Sequence, residues 1–250
     1  MEGTDLVTIV TPMYNAMDTI GRTIVSVQAQ TYSEWEMIIV DDCSTDGSAA
    51  YVEQCAKADG RIRLLRHQKN CGIAGARNTA MQHAKGRYVA FLDSDDLWLP
   101  QKLEKQISFM KEHDAAFSHT ACEVVNESGE KTGKIRHVPL KVTYGNLLKG
   151  NIINCLTVVV DLNRLPMPTM PDIRHEDYAC WLNLLKKEDY AWGLDEVLAE
   201  YRETGTSMSG NKARVAVWQW NIYRRYLKLN LIKCSYYFVH YTWNALKKRM

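Results

Sequence analysis

The chain has 250 residues, enough to bury a sizeable core as one large α/β domain or two smaller lobes. Its apolar (46%) and charged (24%) fractions are ordinary for a globular protein, and a net charge of +2 neither favours nor excludes a nucleic-acid partner. The seven cysteines form no CxxC pair, which favours reduced thiols over a disulfide framework or a zinc site. The N-terminus lacks a basic leader and no apolar run is long enough to span a bilayer, so we expect neither a secretory signal nor a membrane span.

The first hundred residues alternate between two hydrophobic periods. Short apolar runs rich in β-branched residues predict buried strands at residues 6–11, 37–40, 62–65 and 88–92. Apolar residues at helical spacing predict the intervening helices at residues 19–29, 48–58 and 73–84. Strands and helices in this order are joined by right-handed crossovers, so the sequence predicts an α/β fold with a mostly parallel central sheet flanked by helices.

The rest of the chain is less regular. A helix over residues 100–112 is followed by a hairpin between residues 115 and 142, with its turn at residues 126–129. Further predicted elements are a short helix at 144–149, a buried strand at 155–160, a proline-rich loop at 166–171, a helix from His175 to about residue 186 and an irregular strand at 194–201. Residues 204–211 read as a flexible polar loop.

Polar clusters follow three of the predicted strands. They are TPMYN at residues 11–15, Asp41-Asp42, and DSDD at residues 93–96. Because the carboxyl ends of parallel strands meet at one edge of a sheet, we expect all three clusters along one rim, where ligands of such folds bind. Neighbouring carboxylates raise one another's pKa, whereas Mg²⁺ or Mn²⁺ would neutralise them and take further oxygen ligands from substrate phosphates. The rim therefore indicates a metal-assisted site for a phosphate-bearing donor, although the acidic residues alone equally suit a solvated turn that caps the next helix.

The tail from residue 213 onward has a different composition. Aromatic residues alternate there with lysines and arginines, including Trp218, Trp220, Arg224, Arg225 and Trp243. Basic helices with Trp and Tyr can lie at a membrane surface, attracted by anionic lipid. The other interpretation is that these helices bury their aromatic residues on the domain, and the two interpretations are compatible.

Five motifs in order resemble one enzyme family. They are TPMYN (11–15), SVQAQTY (26–32), VDDCSTDGS (40–48), NCGIAGARN (70–78) and FLDSDDLW (91–98). Together they are similar to the family 2 inverting glycosyltransferases, which have the nucleotide-sugar-binding GT-A fold, and the resemblance covers roughly residues 5 to 205. Weaker similarity, around Trp35-Glu36 and Pro100, points to the subgroup that builds bacterial surface polysaccharides such as teichuronic acid, capsule and O-antigen.

The resemblance implies a donor site on the rim. The ring of Tyr14, beside Pro12, can stack on uracil, and Asp42 can accept a hydrogen bond from the uracil N3–H. The alternative for Asp42 is a turn made with Ser44 and Thr45.

Further along the chain, the resemblance places the donor phosphates and the metal. Gly72 permits close backbone approach at a helix N-terminus that favours anions, and Arg77 can pair with a phosphate or with the rim carboxylates. Asp93 and Ser94 are expected to bind the donor, Asp93 through the ribose or through a metal-bound water. Asp95 is the expected direct ligand of a divalent cation, either Mn²⁺ or Mg²⁺.

The resemblance also implies the catalytic side. Inverting transfer needs one base, and Asp177 of the sequence His175-Glu-Asp-Tyr178 matches the family's Glu-Asp motif; an ordinary helix cap is the alternative. Glu176 is expected to orient the acceptor, and Trp181 is either an acceptor platform or part of the core. Arg202 and the loop at 204–211 are expected to close over the donor diphosphate.

We therefore expect a donor-binding half at residues 1–114, an acceptor-binding and catalytic half at 115–205, and a loop with a basic aromatic helical tail at 206–250. The expected partners are a UDP-sugar and a glycan or undecaprenyl-linked glycan acceptor, with no nucleic acid. We expect a cytoplasmic protein at the inner membrane face that adds one sugar per acceptor, since the Gln-x-x-Arg-Trp element of processive members is missing. The alternatives are a sugar nucleotidyltransferase, disfavoured without a Gly-rich signature and Lys after the first strand, and a non-catalytic glycan-binding or scaffold domain.

Overall fold

The computed structural model describes residues 5–203 and 212–247. One mixed sheet of ten strands forms the centre of the described part, in the order β3-β2-β1-β4-β9-β6-β10-β5, with β7 paired to β6 and β8 paired to β10. The strands are β1 (Val7–Met13), β2 (Trp35–Asp41), β3 (Ile62–Arg66), β4 (Tyr88–Phe91), β5 (Leu97–Trp98), β6 (Phe117–Val125), β7 (Lys131–Arg136), β8 (Lys141–Val142), β9 (Val159–Asp161) and β10 (Ala191–Arg202).

Helices cover both faces of this sheet. They are α1 (Ile20–Gln28), α2 (Ser48–Ala58), α3 (Gly72–Gln82), α4 (Lys102–Glu112), α5 (Tyr144–Leu148), α6 (Glu176–Leu184), α7 (Lys212–Asn221) and α8 (Leu231–Lys247), with a π-helical turn at Ile222–Tyr226. Successive side chains of a strand point to opposite faces, which separates the core into two layers. In β1, Val10 packs with α3 and α6 on one face, whereas Ile9 packs with α1 and α4 on the other.

The N-terminal half of the sheet is parallel, as the sequence predicts. Strand β1 lies between β2 and β4, with Val10 opposite both Ile38 and Phe91, and β3 continues the parallel order beyond β2. The second half is mixed: β9 is antiparallel to β4 and β6, whereas β6 and β10 are parallel. The carboxyl ends of β1, β2 and β4 thus share one edge, which is the rim expected to bind the donor.

The expected strand at residues 155–160 is wrong in its first half. Residues Cys155–Thr157 form a 3₁₀ turn, and β9 begins only at Val159. The Thr157 N–H and hydroxyl both donate to the carbonyl of Asn154, so local hydrogen bonds take the place of a sheet ladder there. The predicted hairpin is confirmed as β6 and β7, with its turn at residues 126–129.

The C-terminal helix α8 has two apolar faces. Its inner face packs on the domain through buried Cys234 and partly buried Tyr237 and Phe238, as in the packing interpretation of the tail. Its outer face is exposed, and four residues form a stripe there at intervals of three or four: Ile232, Tyr236, Val239 and Trp243. Among the described residues, no helix is long and apolar enough to cross a membrane. The expected lid at 204–211 lies outside the described residues.

Candidate active site

A cavity of about 590 Å³ opens at the carboxyl ends of β1, β2 and β4. Seven of the residues expected in the site line it: Pro12, Tyr14, Asp42, Asp93, Ser94, Asp95 and Arg202. The three polar clusters that the sequence places on one rim therefore face one shared space. Glu127, from the turn between β6 and β7, lines the same cavity.

Tyr14 presents its ring at this cavity on a loop that is fixed by hydrogen bonds. The N–H of Asn15 donates to Ser44 Oγ at 2.9 Å, and the Asn15 side-chain oxygen accepts from the N–H of Thr45 at 2.8 Å. Asn15 itself has a positive φ of 48°, a conformation that Asn tolerates better than most residues. The loop thereby holds Tyr14 with 55% of its surface exposed, so a planar group can reach the ring.

Asp42 is buried at the N-terminus of α3. Its carboxylate accepts from the N–H groups of Cys71 and Gly72, each at 2.7 Å, and His67 Nδ1 lies 2.7 Å from its Oδ1. Gly72 adopts a φ of +74°, which lets its N–H point at the carboxylate. The anion at this helix terminus is thus an aspartate of the protein itself, where the sequence led us to expect the donor phosphate.

His67 has a structural role that sequence reasoning missed. Its second ring nitrogen, Nε2, lies 2.8 Å from the hydroxyl of Thr79 on α3, so the ring ties Asp42 to that helix. Asp42, His67 and Cys71 lie close enough to share a cation. The hydrogen bonds of Asp42 and His67 already satisfy them within the protein, so we assign no metal to this cluster.

In the acidic loop after β4, one carboxylate is buried and hydrogen-bonded within the protein, and another lines the cavity. Asp96 is buried and accepts from the backbone N–H of Arg202 at 2.8 Å, a role the sequence did not separate from those of its neighbours. Asp95 lines the cavity, and burial together with the charge of Asp93 raises the pKa of Asp95 to about 6. Among the described residues, no side chain pairs with the Asp95 carboxylate. An unneutralised carboxylate beside a second one is a donor set that fits Mg²⁺ or Mn²⁺.

Arg77, on α3, joins the acidic loop after β4 to the start of α6. Arg77 is 2% exposed, and its guanidinium donates to Asp93 at 2.6 Å and to Glu176 at 2.7 Å. Of the partners that the sequence leaves open, this structure shows a rim carboxylate, Asp93, whereas pairing with a phosphate stays a prediction. Glu176 is buried and forms an ion pair with Arg77. The sequence led us to expect a contact with the acceptor for this residue instead.

Asp177 and Trp181 have different surroundings on α6. Burial raises the pKa of the Asp177 carboxyl, while the positive charge of Arg77 opposes that rise. Asp177 does not line the donor cavity, but the charges of Arg77 and Asp93 both act on its carboxyl group. Trp181 is fully buried, with its ring centroid 5.2 Å from Phe91, so it belongs to the core and the acceptor-platform alternative is wrong for this structure.

Arg202 ends β10 at the mouth of the cavity. Its Nε donates to the carbonyl of Asp95 at 2.9 Å and its Nη1 donates to the carbonyl of Glu127 at 2.6 Å. These bonds tie the acidic loop to the β6–β7 turn. They also explain why Glu127, which carries no motif in the sequence, lines the cavity.

Comparison with solved structures defines the class of the fold. The structure of TarS residues 1–349 from S. aureus, in complex with UDP-GlcNAc, superimposes on this chain with a TM-score of 0.73 and 21% sequence identity. The alignment covers 95% of this chain and 71% of the TarS chain. The mannosyltransferase PcManGT from Pyrobaculum calidifontis, in complex with GDP-Man and Mn²⁺, aligns with 90% of this chain and 64% of its own at a TM-score of 0.65 and 20% identity. The fold is thus the GT-A fold of glycosyltransferases, as the motifs predict.

Sequence comparison gives the family. The model of glycosyl transferase family 2 matches residues 8–160, and the chain belongs to that family. The putative teichuronic acid biosynthesis glycosyltransferase TuaG of Bacillus subtilis is 47% identical over 98% of both chains. The UDP-Glc:alpha-D-GlcNAc-diphosphoundecaprenol beta-1,3-glucosyltransferase WfgD of Escherichia coli is 39% identical over 97% of this chain and 94% of its own. The protein is accordingly a glycosyltransferase, and the sugar nucleotidyltransferase alternative is wrong.

Proposed function

We propose that this protein transfers a sugar from a UDP-sugar, with inversion, to an undecaprenyl diphosphate-linked glycan during synthesis of a bacterial surface polysaccharide. The observation that carries the proposal is the single cavity that Tyr14, Asp42 and Asp95 share. The names of two relatives support the acceptor class, since WfgD and the 39% identical WfaP of Escherichia coli are both glucosyltransferases acting on GlcNAc-diphosphoundecaprenol.

The nucleoside binds between Tyr14 and Asp42. The exposed ring of Tyr14 stacks on uracil, and Pro12 and Ser94 bound the same space. Asp42 accepts two backbone N–H groups and faces His67, which fixes the orientation of its carboxylate. A carboxylate offers about four lone-pair sites, so one remains for the N3–H of uracil.

The donor diphosphate needs positive charge at the acidic loop. We propose that Asp95 would hold a divalent cation there, Mn²⁺ or Mg²⁺, and that Asp93 would bind either the ribose or, through a water molecule, the cation. A bound cation acts as a Lewis acid that stabilises charge on the departing nucleoside diphosphate. Arg202, held against the carbonyl groups of Asp95 and Glu127, is the positive side chain that lines the same cavity and faces the diphosphate.

Asp177 accepts the proton of the acceptor hydroxyl as that oxygen attacks the anomeric carbon. Its burial raises the pKa and so strengthens it as a base, while Arg77 nearby favours the ionised form that a base must have. Glu176 holds Arg77 in place and thereby positions the start of α6. Inversion needs one carboxylate and no covalent intermediate, which this arrangement provides.

The donor class can be tested with a panel of nucleotide sugars. We expect slow release of UDP from one UDP-sugar in the presence of Mn²⁺, and faster release once a GlcNAc-diphosphate-lipid acceptor is added. Product analysis by NMR should show the opposite anomeric configuration to that of the donor. Release of nucleotide only from GDP- or TDP-sugars would contradict the uracil site, and a retained configuration would contradict the single-base mechanism.

Replacing Asp95 with Asn should weaken cation binding by about tenfold or more, because a charged oxygen ligand is lost. Thermal unfolding with and without Mn²⁺ measures this, since a ligand bound only by the native state raises the melting temperature. Protons compete for the carboxylate, whose pKa is about 6, so the stabilisation by Mn²⁺ should be larger at pH 7.5 than at pH 5.5.

The matched control is Asp172→Asn, an exposed carboxylate in the loop before α6 that does not line the cavity. Its response to Mn²⁺ should equal that of the unsubstituted protein. An undiminished Mn²⁺ response in Asp95→Asn would remove Asp95 as the ligand.

We also propose that the protein is cytoplasmic and lies on the inner membrane face through its tail. All 29 Asp and Glu residues lie at or before Glu203, whereas nine of the 31 Lys and Arg residues follow it. Residues 1–203 thus carry a net charge of −7 and residues 204–250 carry +9. The exposed stripe of α8, with Ile232 at 83% and Val239 at 65%, places apolar side chains within this positive segment. This is the composition of helices that lie in the interface of anionic membranes.

Replacing Val239 with Glu should weaken binding to vesicles that contain anionic lipid by about tenfold or more, since a charge would enter the lipid interface. Co-sedimentation with vesicles at low salt measures this. The matched control is Val25→Glu, which changes an equally exposed valine on α1 (60%) and should bind like the unsubstituted protein. Equal loss in both variants, or equal binding to neutral vesicles, would contradict an anionic surface as the partner of α8.

A further inference from the structure

A second cleft, of about 380 Å³, lies apart from the donor cavity. It is formed between the loop that precedes α6 and the segment where α7 passes into the π-helical turn. Its floor is apolar and aromatic, with buried Ile222 and partly buried Trp218 and Tyr226. Two exposed arginines, Arg174 and Arg225, stand at its edge. In the part of the chain that the structure describes, no carboxylate lines this cleft, in contrast to the donor cavity.

The π-helical turn at Ile222–Tyr226 shapes this cleft. Such turns are rare and occur frequently at functional sites. The turn is anchored at its far end, where the hydroxyl of Tyr226 accepts from Asn183 Nδ2 at 2.7 Å. Arg225 makes no hydrogen bond or ion pair with any residue that the structure describes, so its guanidinium is available to a ligand. The guanidinium of Arg174 lies 5.7 Å from the ring of Trp218.

The cleft lies close along the chain to the proposed base, Asp177. Arg174, at its edge, precedes Asp177 by three residues, which limits their separation along the chain to about 10 Å. The intervening His175 has a left-handed φ of 59°, and its ring centroid lies 5.5 Å from that of Trp218. The chain thus runs from the edge of the cleft at Arg174 through His175 into the start of α6. A Cα separation of at most about 10 Å is compatible with one sugar between an anion held by Arg174 and an acceptor hydroxyl that reaches Asp177.

We propose that this cleft binds the lipid diphosphate of the acceptor, with the diphosphate between Arg174 and Arg225 and the first prenyl unit on the floor. The inference rests on the proposed function, because it takes the acceptor class from there. An apolar floor with a cationic edge matches a ligand that joins hydrocarbon to phosphate. Guanidinium groups bind phosphate through paired, charge-assisted hydrogen bonds. Because none of the described lining residues is a carboxylate, the cleft can bind an anion without a metal cation to offset repulsion.

Binding to the full-length protein tests this without requiring turnover. The probe is GlcNAc-diphosphate joined to a farnesyl chain, used below its micelle concentration and followed by calorimetry. Arg225→Gln should weaken its binding by about tenfold and Arg225→Glu by more, because a charge-assisted phosphate contact is lost. Arg225→Lys should recover part of the affinity. The matched control is Lys233→Gln, which removes the same charge from an exposed tail residue that does not line the cleft.

Two further probes separate lipid from phosphate. Octyl N-acetylglucosaminide lacks the diphosphate, so its affinity should differ by less than about twofold between Arg225→Gln and the unsubstituted protein. Inorganic diphosphate lacks the lipid and should bind at least about tenfold more weakly than the farnesyl probe, since it forgoes the apolar floor. If inorganic diphosphate and the farnesyl probe bind with equal affinity, the lipid part of the proposal is overturned.

The same experiment distinguishes this inference from the proposed function. Unchanged affinity for the farnesyl probe in both Arg225→Gln and Arg225→Glu would overturn the cleft as the acceptor site, even if UDP-sugar turnover is found. Selective loss of that affinity would support the cleft. If the selective loss occurs without turnover of any UDP-sugar, the cleft stands and the proposed donor class is rejected.

Discussion

Asp177→Asn should lower the rate of sugar transfer by about 100- to 10,000-fold, the range typical for loss of a general base. The amide has nearly the shape of the carboxylate but cannot take the proton of the acceptor hydroxyl. Because a base must be ionised and burial raises the pKa of Asp177, transfer in the unsubstituted protein should decline as the pH falls through that raised value. Transfer rate under saturating donor and acceptor, measured as UDP release across pH 4.5 to 8, gives both quantities.

Binding measurements show whether the loss of rate comes from the transfer step or from weaker binding of the donor. UDP affinity in Asp177→Asn should stay close to that of the unsubstituted protein, because Asp177 does not line the donor cavity. Asp172→Asn, five residues upstream in an exposed position, should retain full turnover. Turnover of Asp177→Asn within about threefold of that control would assign the carboxylate to capping of α6.

Arg77→Met should destabilise the protein by about 3–5 kcal/mol, the usual result of removing one partner from a buried ion pair. Met has a similar length but leaves Asp93 and Glu176 facing each other without a cation. Urea unfolding, followed by circular dichroism, measures the free energy of unfolding. The matched control is Arg66→Met, which removes an exposed ion pair to Glu53 and should cost about 0–1 kcal/mol.

A triple variant tests the reason for the Arg77 effect. Adding Asp93→Asn and Glu176→Gln to Arg77→Met removes both stranded charges, so part of the lost stability should return. If Arg77→Met costs no more than Arg66→Met, the buried ion pairs do not hold the two halves together. If the triple variant is less stable than Arg77→Met alone, lost packing outweighs the uncompensated charge.

The sequence predicts the N-terminal half of this fold well because its signals are local. Each strand from β1 to β4 is an apolar run, and the predicted bounds of α2 agree with Ser48–Ala58 in the structure. Two-residue strands such as β5 and β8 were not predicted, because two residues are too few to show a period. The strand expected at residues 155–160 failed for another reason, since apolar composition cannot reveal the turn that Thr157 makes with Asn154.

The sequence predicted residues that line the candidate site, but it did not predict which residues they pair with. The rim position of Asp42, Asp93 and Asp95 follows from the parallel sheet. The pairing of Arg77 with Glu176 joins residues 99 positions apart, and nothing local in the sequence specifies it. His67 escaped notice because it lies in no motif, although its contact with Asp42 is among the shortest in the site.

The guanidinium shared by Asp93 and Glu176 has a consequence for how substrates enter. Drawing α6 away from α3 would separate Glu176 from the Arg77 guanidinium and leave its buried carboxylate without a counterpart, so these helices should move as a single rigid body. Substrates then reach the reacting atoms past the edge of the donor cavity, where Tyr14 and Arg202 lie.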